Sequence, residues 1–185
     1  MGGKIRFNVA KFGAKVASQV SKFGFGSGNN LPGYVFYKIA GKEALKDLAH
    51  EMSIGPILIT GTNGKTTTTT LLIKLLSADT KIRKSFESNT IHAITTGILK
   101  GDGDLGVFEY GIRNKSYGIP DTVQRLIDPV GVVYTTISRE HSQVAGVKNP
   151  FEEYVDAKSL LSQGMTRGVV ISNADDPVTA NIACN

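Results

Sequence analysis

Apolar residues along this chain come either at helical spacing or in short unbroken runs, and the alternation of the two predicts the elements. Ile5, Val9, Phe12, Val16, Val20 and Phe23, with Phe7 among them, recur every third or fourth residue between lysines, which predicts an amphipathic helix over residues 4–23. Gly24 to Gly33 reads as a flexible connector, rich in glycine and asparagine and ending in Leu31-Pro32-Gly33. A short helix over about residues 43–52 leads to the apolar run Ile57–Ile59, a buried strand. A helix follows it, with Leu71, Leu72, Leu75 and Leu76 expected on its inner face. Ser85 to Thr90 reads as a polar strand end or loop, and Ile91 to Leu99 as helix. Past the Gly101–Asp104 turn, Leu105 to Tyr110 predicts a second buried strand with Glu109 at its end. A helix near 120–127, a third apolar strand from Val130 to Ile137, a helix from Pro150 to Gln163 and a strand from Gly168 to Ser172 complete the series. Strands alternating with helices predict an α/β fold, a mostly parallel sheet covered by helices on both faces.

Charge divides the chain in two. Residues 1–42 hold seven basic residues and no acid, whereas the remaining 14 basic and 16 acidic residues leave the body near −2. The net charge of +5 therefore belongs to the N-terminal arm, and no nucleic-acid partner is read from it. The arm is too basic, and its apolar runs too short, to cross a bilayer, and it has no cleavable signal layout. It can pack on its own domain or on another subunit, lie on an anionic membrane surface, or act as a transit peptide, the last disfavoured because lysine far outnumbers arginine. The one cysteine, Cys184, allows neither a disulfide framework nor a zinc set, which fits a reducing cytoplasm.

The chemistry concentrates where the first strand turns into its helix. The order strand, Gly61-Thr62-Asn63-Gly64 turn, Lys65-Thr66, helix is the layout of a phosphate-binding loop, as in P-loop nucleotide-binding folds. Glycines let backbone N–H groups approach phosphates, Lys65 reaches the β/γ-phosphates and the Thr66 hydroxyl holds Mg²⁺. The first glycine lies only three residues before Gly64, a shorter loop than the usual pattern. A glycine turn that merely carries a lysine is the alternative. Glu109, at a strand end, can face a metal bound to phosphate oxygens, or can be an ordinary exposed acid.

The stretch Thr60-Gly61-Thr62-Asn63-Gly64-Lys65-Thr66-Thr67-Thr68 resembles the nucleotide loop of the Mur ligase family, which includes folylpolyglutamate synthases and the amide-forming part of cyanophycin synthetase. The resemblance covers roughly residues 31–180. It implies an ATP- and Mg²⁺-dependent amide ligase in which an acyl-phosphate is attacked by an amine. Residues 61–67 would bind ATP: Gly61, Thr62, Asn63, Gly64, Lys65, Thr66 and Thr67. Lys65, Glu109, His141 and Lys158 would carry the chemistry, and Thr66, Glu109, His141 and Lys158 would hold two metals.

Lys158 follows a Tyr154-Val155-Asp156-Ala157 pattern whose lysine the family carbamylates. Glu140 stands before His141 where the family more often has aspartate. Asn173-Ala174-Asp175-Asp176-Pro177 resembles the family segment that closes this domain, and Asn89 an asparagine of a substrate loop. The basic start, Leu31-Pro32-Gly33 and Lys38-Ile39-Ala40 resemble two branches, the ligase-like subunit of lipid II isoglutaminyl synthase and the archaeal pseudomurein peptide ligases. Lys158 and the lack of a cysteine cluster set the chain apart from the first.

On this reading residues 1–33 are arm and connector, and 34–185 a nucleotide-binding central domain without the C-terminal domain of complete ligases. The implied acceptor is a nucleotide- or lipid-linked cell-wall peptide precursor, the partner an amino acid, and the place the cytoplasm, peripheral to the inner face of the membrane. The alternatives are a folylpolyglutamate-type ligase and a non-catalytic ATP-binding module of a larger complex.

Overall fold

A computed structural model of the chain describes residues 2–22, 29–140, 142, 146 and 148–184. Among these, five strands form one wholly parallel sheet: β1 Gly55–Thr60, β2 Ile82–Ser85, β3 Leu105–Glu109, β4 Gly131–Tyr134 and β5 Val169–Ser172. Their spatial order is β2-β3-β1-β4-β5. The helices are α1 Gly2–Lys22, α2 Leu31–Ala40, α3 Ala44–Ala49, α4 Lys65–Leu76, α5 Ile91–Lys100, α6 Lys115–Gly118, α7 Pro120–Ile127, α8 Pro150–Ser159 and α9 Pro177–Cys184.

Side chains alternate across the central strands, so each strand feeds two cores. Ile57, Ile59, Val107 and Val133 meet Leu72, Ile73 and Leu76 of α4 on one face. Leu58, Phe108, Val132 and Tyr134 meet Leu48 of α3, Ile94 and Ile98 of α5, Leu126 of α7 and Ala157 of α8 on the other. The α/β fold with helices on both faces is as the pattern implied. Strand order 2-3-1-4-5 puts β1 at the centre, between β3 and β4, so the turn after β1 is flanked by the C-terminal ends of both neighbours. That edge is where open parallel sheets bind ligands.

Six details differ from the sequence reading. β2 ends at Ser85, where the stretch read as a polar strand end or loop begins, and its first three residues carry no strand in the sequence reading; it is an edge strand bonded to β3 only, and its Ile-Arg-Lys-Ser carries no apolar run. Arg83 is nonetheless buried, because its guanidinium donates to the carbonyls of Gly103 (2.8 Å) and Ile98 (3.0 Å). Leu71 and Leu75 of α4 face solvent, and the inner face is Thr69 and Ile73, with Leu72 and Leu76 partly buried at its edge. The loop sets that phase, since Thr66, which points at Glu109, shares a helix face with Thr69 and Ile73.

β4 stops at Tyr134 rather than Ile137, and α8 at Ser159 rather than Gln163. The connector is shorter than expected, for Leu31 already opens α2, with Pro32 in its first turn. Residues 24–28 of that stretch, and Phe23, lie outside the described residues. The predicted N-terminal helix forms, but its buried face is Ala10, Ala14 and Ala17, and Ile5, Val9, Phe12, Val16 and Val20 are exposed.

Candidate functional site

The turn after β1 is held open by its neighbours. Gly64 takes the left-handed conformation (φ +83°) that starts α4, and no side chain caps that helix or places an acid in its first turn. The first N–H groups of α4 are therefore left for an anion. A Cβ at Gly61 would lie 2.0 Å from the Thr135 hydroxyl, so only glycine lets the turn approach the chain leaving β4.

That chain grips the turn. The N–H of Thr135 donates to the Thr60 carbonyl (3.0 Å), and its hydroxyl donates to that of Asn63 (2.6 Å). The N–H of Thr62 donates to the Thr136 carbonyl (2.5 Å), and the Thr62 hydroxyl accepts from the N–H of Ser138 (3.0 Å). The Asn63 amide donates to Glu140 (2.9 Å). These bonds use the backbone groups that a longer β4 would have kept in the ladder, which is why the strand ends early.

Four of the predicted residues converge here. The Thr66 hydroxyl donates to Glu109 Oε2 at 2.9 Å, across from the tip of β3. Lys65 Nζ donates to the Thr62 carbonyl at 2.8 Å, folding over its own turn. Burial lowers the Lys65 pKa, and the negative charge of Glu109 partly restores it. Lys158 reaches the turn from α8 and is fully buried, its Nζ donating to the carbonyls of Ile112 (2.9 Å) and Gly61 (3.3 Å). Burial, with the nearby charge of Lys65, lowers its pKa to about 7.

His141 lies outside the described residues. Asn89 sits at the rim, beside Gly111, whose N–H donates to the Ser88 carbonyl (2.7 Å). Asp176 has a structural role, accepting from the N–H of Ile137 (2.6 Å) and from that of Val178 at the start of α9 (2.9 Å).

Sequence reasoning passed over Tyr154 as a site residue. Its hydroxyl is 3.1 Å from the Thr62 hydroxyl, and its ring faces Lys158 Nζ at 4.3 Å. Its place four residues before Lys158, one turn of helix, is the signal that could have found it. Nothing local singled out Thr135, Thr136 and Ser138, whose roles come from pairing across the sheet.

The donors suit the groups the sequence implied. A bare glycine turn with an uncapped helix start and a half-buried ammonium fits a polyphosphate. The adjacent oxygens of Thr66 and Glu109 are the hard donors that Mg²⁺ takes. Among the described residues no cluster of three His, Cys, Asp or Glu adds to them.

Comparison with known proteins agrees with this arrangement. The model of the family described as the Mur ligase middle domain matches residues 59–185. The UDP-N-acetylmuramoyl-tripeptide--D-alanyl-D-alanine ligase of Bacillus subtilis (strain 168) is 30% identical over 146 residues, covering 75% of this chain and 31% of that protein. The MurF ligase of Thermotoga maritima, solved in complex with ADP, superposes with a TM-score of 0.61 at 18% identity, over 76% of this chain and 34% of that one. A pseudomurein peptide ligase type C from Methanothermus fervidus does so with a TM-score of 0.55 at 27% identity, over 69% and 25%. This chain thus spans about a third or less of the length of each of these relatives. A family match over most of the chain, on a loop whose geometry suits a polyphosphate, places this protein in the Mur ligase middle domain family.

Proposed function

We propose that this domain binds ATP at the turn between β1 and α4 and, within a longer ligase, drives amide-bond formation on a cell-wall peptide precursor. The observation that carries the reading is the Thr66–Glu109 contact at 2.9 Å, one residue along from Lys65. It gathers a cation-binding oxygen pair and an ammonium at one strand edge, which neither a structural turn nor a stray lysine needs.

Bound Mg-ATP would supply the phosphoryl group that turns a substrate carboxylate into an acyl-phosphate open to attack by an amine. Residues 61–67 would hold the phosphates through the uncapped N–H groups at the start of α4, the Thr62 N–H being already given to Thr136, and Lys65 would swing from the Thr62 carbonyl to neutralise them. Thr66 and Glu109 would hold the cation, and His141 is proposed as a further ligand. Lys158, its pKa lowered to about 7, has a substantial neutral fraction near pH 7 whose amine can add to CO₂. The nitrogen lone pair forms the N–C bond, one C=O electron pair moves to oxygen, and the nitrogen proton leaves to solvent. The resulting carbamate puts a negative charge beside Gly61, where a second cation can sit.

The amino acid added and the acceptor, nucleotide-linked or lipid-linked, follow from the relatives' chemistry only as classes. The place proposed is the cytoplasm, at the inner face of a membrane. No described helix is long and apolar enough to cross one.

The test is phosphate release from ATP by the full-length protein, against a panel of amino acids and peptide precursors. Release stimulated by one amine–acceptor pair, and abolished by Lys65→Ala in a folded protein, is expected. ATP binding with no amine-dependent release would instead mark a nucleotide-binding module that gates a partner. Unchanged turnover in Lys65→Ala would refute the loop's role.

A further inference from the structure

Helix α1 divides its surface into three parallel rows, each with its own chemistry. At 100° per residue, the row of Phe7, Ala10, Ala14 and Ala17 faces α2. Ala10, Ala14 and Ala17 are buried there, Gly13 lies against Val35 and Ile39, and Phe7 meets Phe36 edge-on at 5.5 Å between ring centres. The Arg6 side chain donates to the Ile39 carbonyl, and Lys11 pairs with Glu51 at 2.7 Å. These contacts fix the rotation of α1 about its own axis.

The second row is therefore held outward by packing. Ile5, Val9, Phe12, Val16 and Val20 run along the length of the helix, exposed by 42% to 70%. Five large apolar side chains in one line, on a helix already anchored by its small residues, form a contiguous apolar surface rather than scattered ones. The third row lies directly beside it: Lys4, Asn8, Lys11, Lys15 and Gln19. Where that row meets the start of α2 and the end of α5, a groove of about 800 Å³ is lined by Lys11, Lys15 and Lys100 with Phe12, Pro32 and Leu99.

From this geometry we infer that α1 is a docking surface for an anionic lipid bilayer, its apolar row entering the interface and its lysines meeting lipid phosphates. Charge selects this occupant. The first acid in the chain is Glu43, so α1 and α2 carry no acid of their own, and Glu51, which reaches α1 from outside, is paired with Lys11. An antiparallel second copy placed face to face on the same surface would bring two lysine rows together. The groove repeats the combination on a smaller scale, with ammonium groups beside an apolar wall, which suits a phosphate joined to acyl chains. This deepens the peripheral location of the proposed function, yet stands on a surface remote from Lys65. A failed lipid test leaves ATP turnover untouched, and the reverse holds too.

The test is co-sedimentation of the protein with phosphatidylcholine vesicles, with and without phosphatidylglycerol. Binding to the anionic vesicles is expected, at least about tenfold tighter than to pure phosphatidylcholine and weakened by salt. The double variant Phe12→Glu with Val16→Glu changes only exposed positions and should lose binding with its circular dichroism unchanged. If that variant loses helix, Lys4→Glu with Lys15→Glu decides, and should weaken binding by at least about tenfold. Equal affinity for both vesicle types, or anionic binding that survives these variants, overturns the inference. So does concentration-dependent dimerisation, seen by ultracentrifugation, that Phe12→Glu with Val16→Glu abolishes.

Discussion

At the scale of single residues, Lys158 shows how far burial can change a side chain. Lysine seldom lies in a protein interior unpaired, and this one has only the Ile112 and Gly61 carbonyls as acceptors and the Tyr154 ring beside it. Its folded pKa of about 7 lies below the ordinary value of about 10.4 that it regains on unfolding. Between those values the unfolded chain holds a proton the folded chain has released, so stability rises with pH and falls as pH drops towards 7. The slope from one such group approaches about 1.4 kcal/mol per pH unit. Urea midpoints measured between about pH 7 and 9, in bicarbonate-free buffer, should climb for the natural protein and climb less for Lys158→Met. Lys65, also lowered, keeps part of the slope in the variant. An identical slope in both proteins would contradict the buried placement. The identity of Lys158 as a candidate was legible from its Tyr-x-x-Ala-Lys setting, but its burial was not. The Gly61 and Ile112 carbonyls that accept from it lie 97 and 46 residues away in sequence.

At the scale of elements, the crossing of α2 over α5 depends on one missing side chain. A Cβ on Gly33 would sit 2.0 Å from the His92 carbonyl oxygen and 2.9 Å from the Thr96 hydroxyl, which already accepts from the N–H of Gly33 at 2.9 Å. Gly33→Ala should push the two helices apart and lower stability by about 1–3 kcal/mol, with the larger loss if the hydrogen bond breaks. Chemical denaturation reads the change directly, and a variant as stable as the natural protein would show that the helices do not cross so closely. Leu31-Pro32-Gly33 reads as connector because proline and glycine punctuate loops more often than they begin helices. Proline also fits a first helical turn, and here the glycine serves a helix crossing. β2 stayed hidden for a related reason. Pattern reading finds strands by their apolar content, and an edge strand whose buried arginine is satisfied by carbonyls has little of it.

At the scale of the whole molecule, a ligand that binds only the folded chain must stabilise it. Mg-ATP at about a hundred times its dissociation constant should add about 2.7 kcal/mol, read as a rise in thermal midpoint that grows with nucleotide concentration. A midpoint indifferent to Mg-ATP would count against nucleotide binding by this domain. The sequence by itself determined the α/β class, the position of the glycine turn between β1 and α4, and the amphipathic start. Each is encoded within a few residues by spacing, turn chemistry or a run of like side chains. Tertiary structure alone decided which way α1 turns its apolar row, which face of α4 lies inward and where β4 leaves the sheet. It also decided that Lys158 ends under the loop. Each of those outcomes is a competition between surfaces brought together from distant parts of the chain. In α1 the small alanine row won the contact with α2 because it lets two helices approach closely, and the larger side chains were left facing outward.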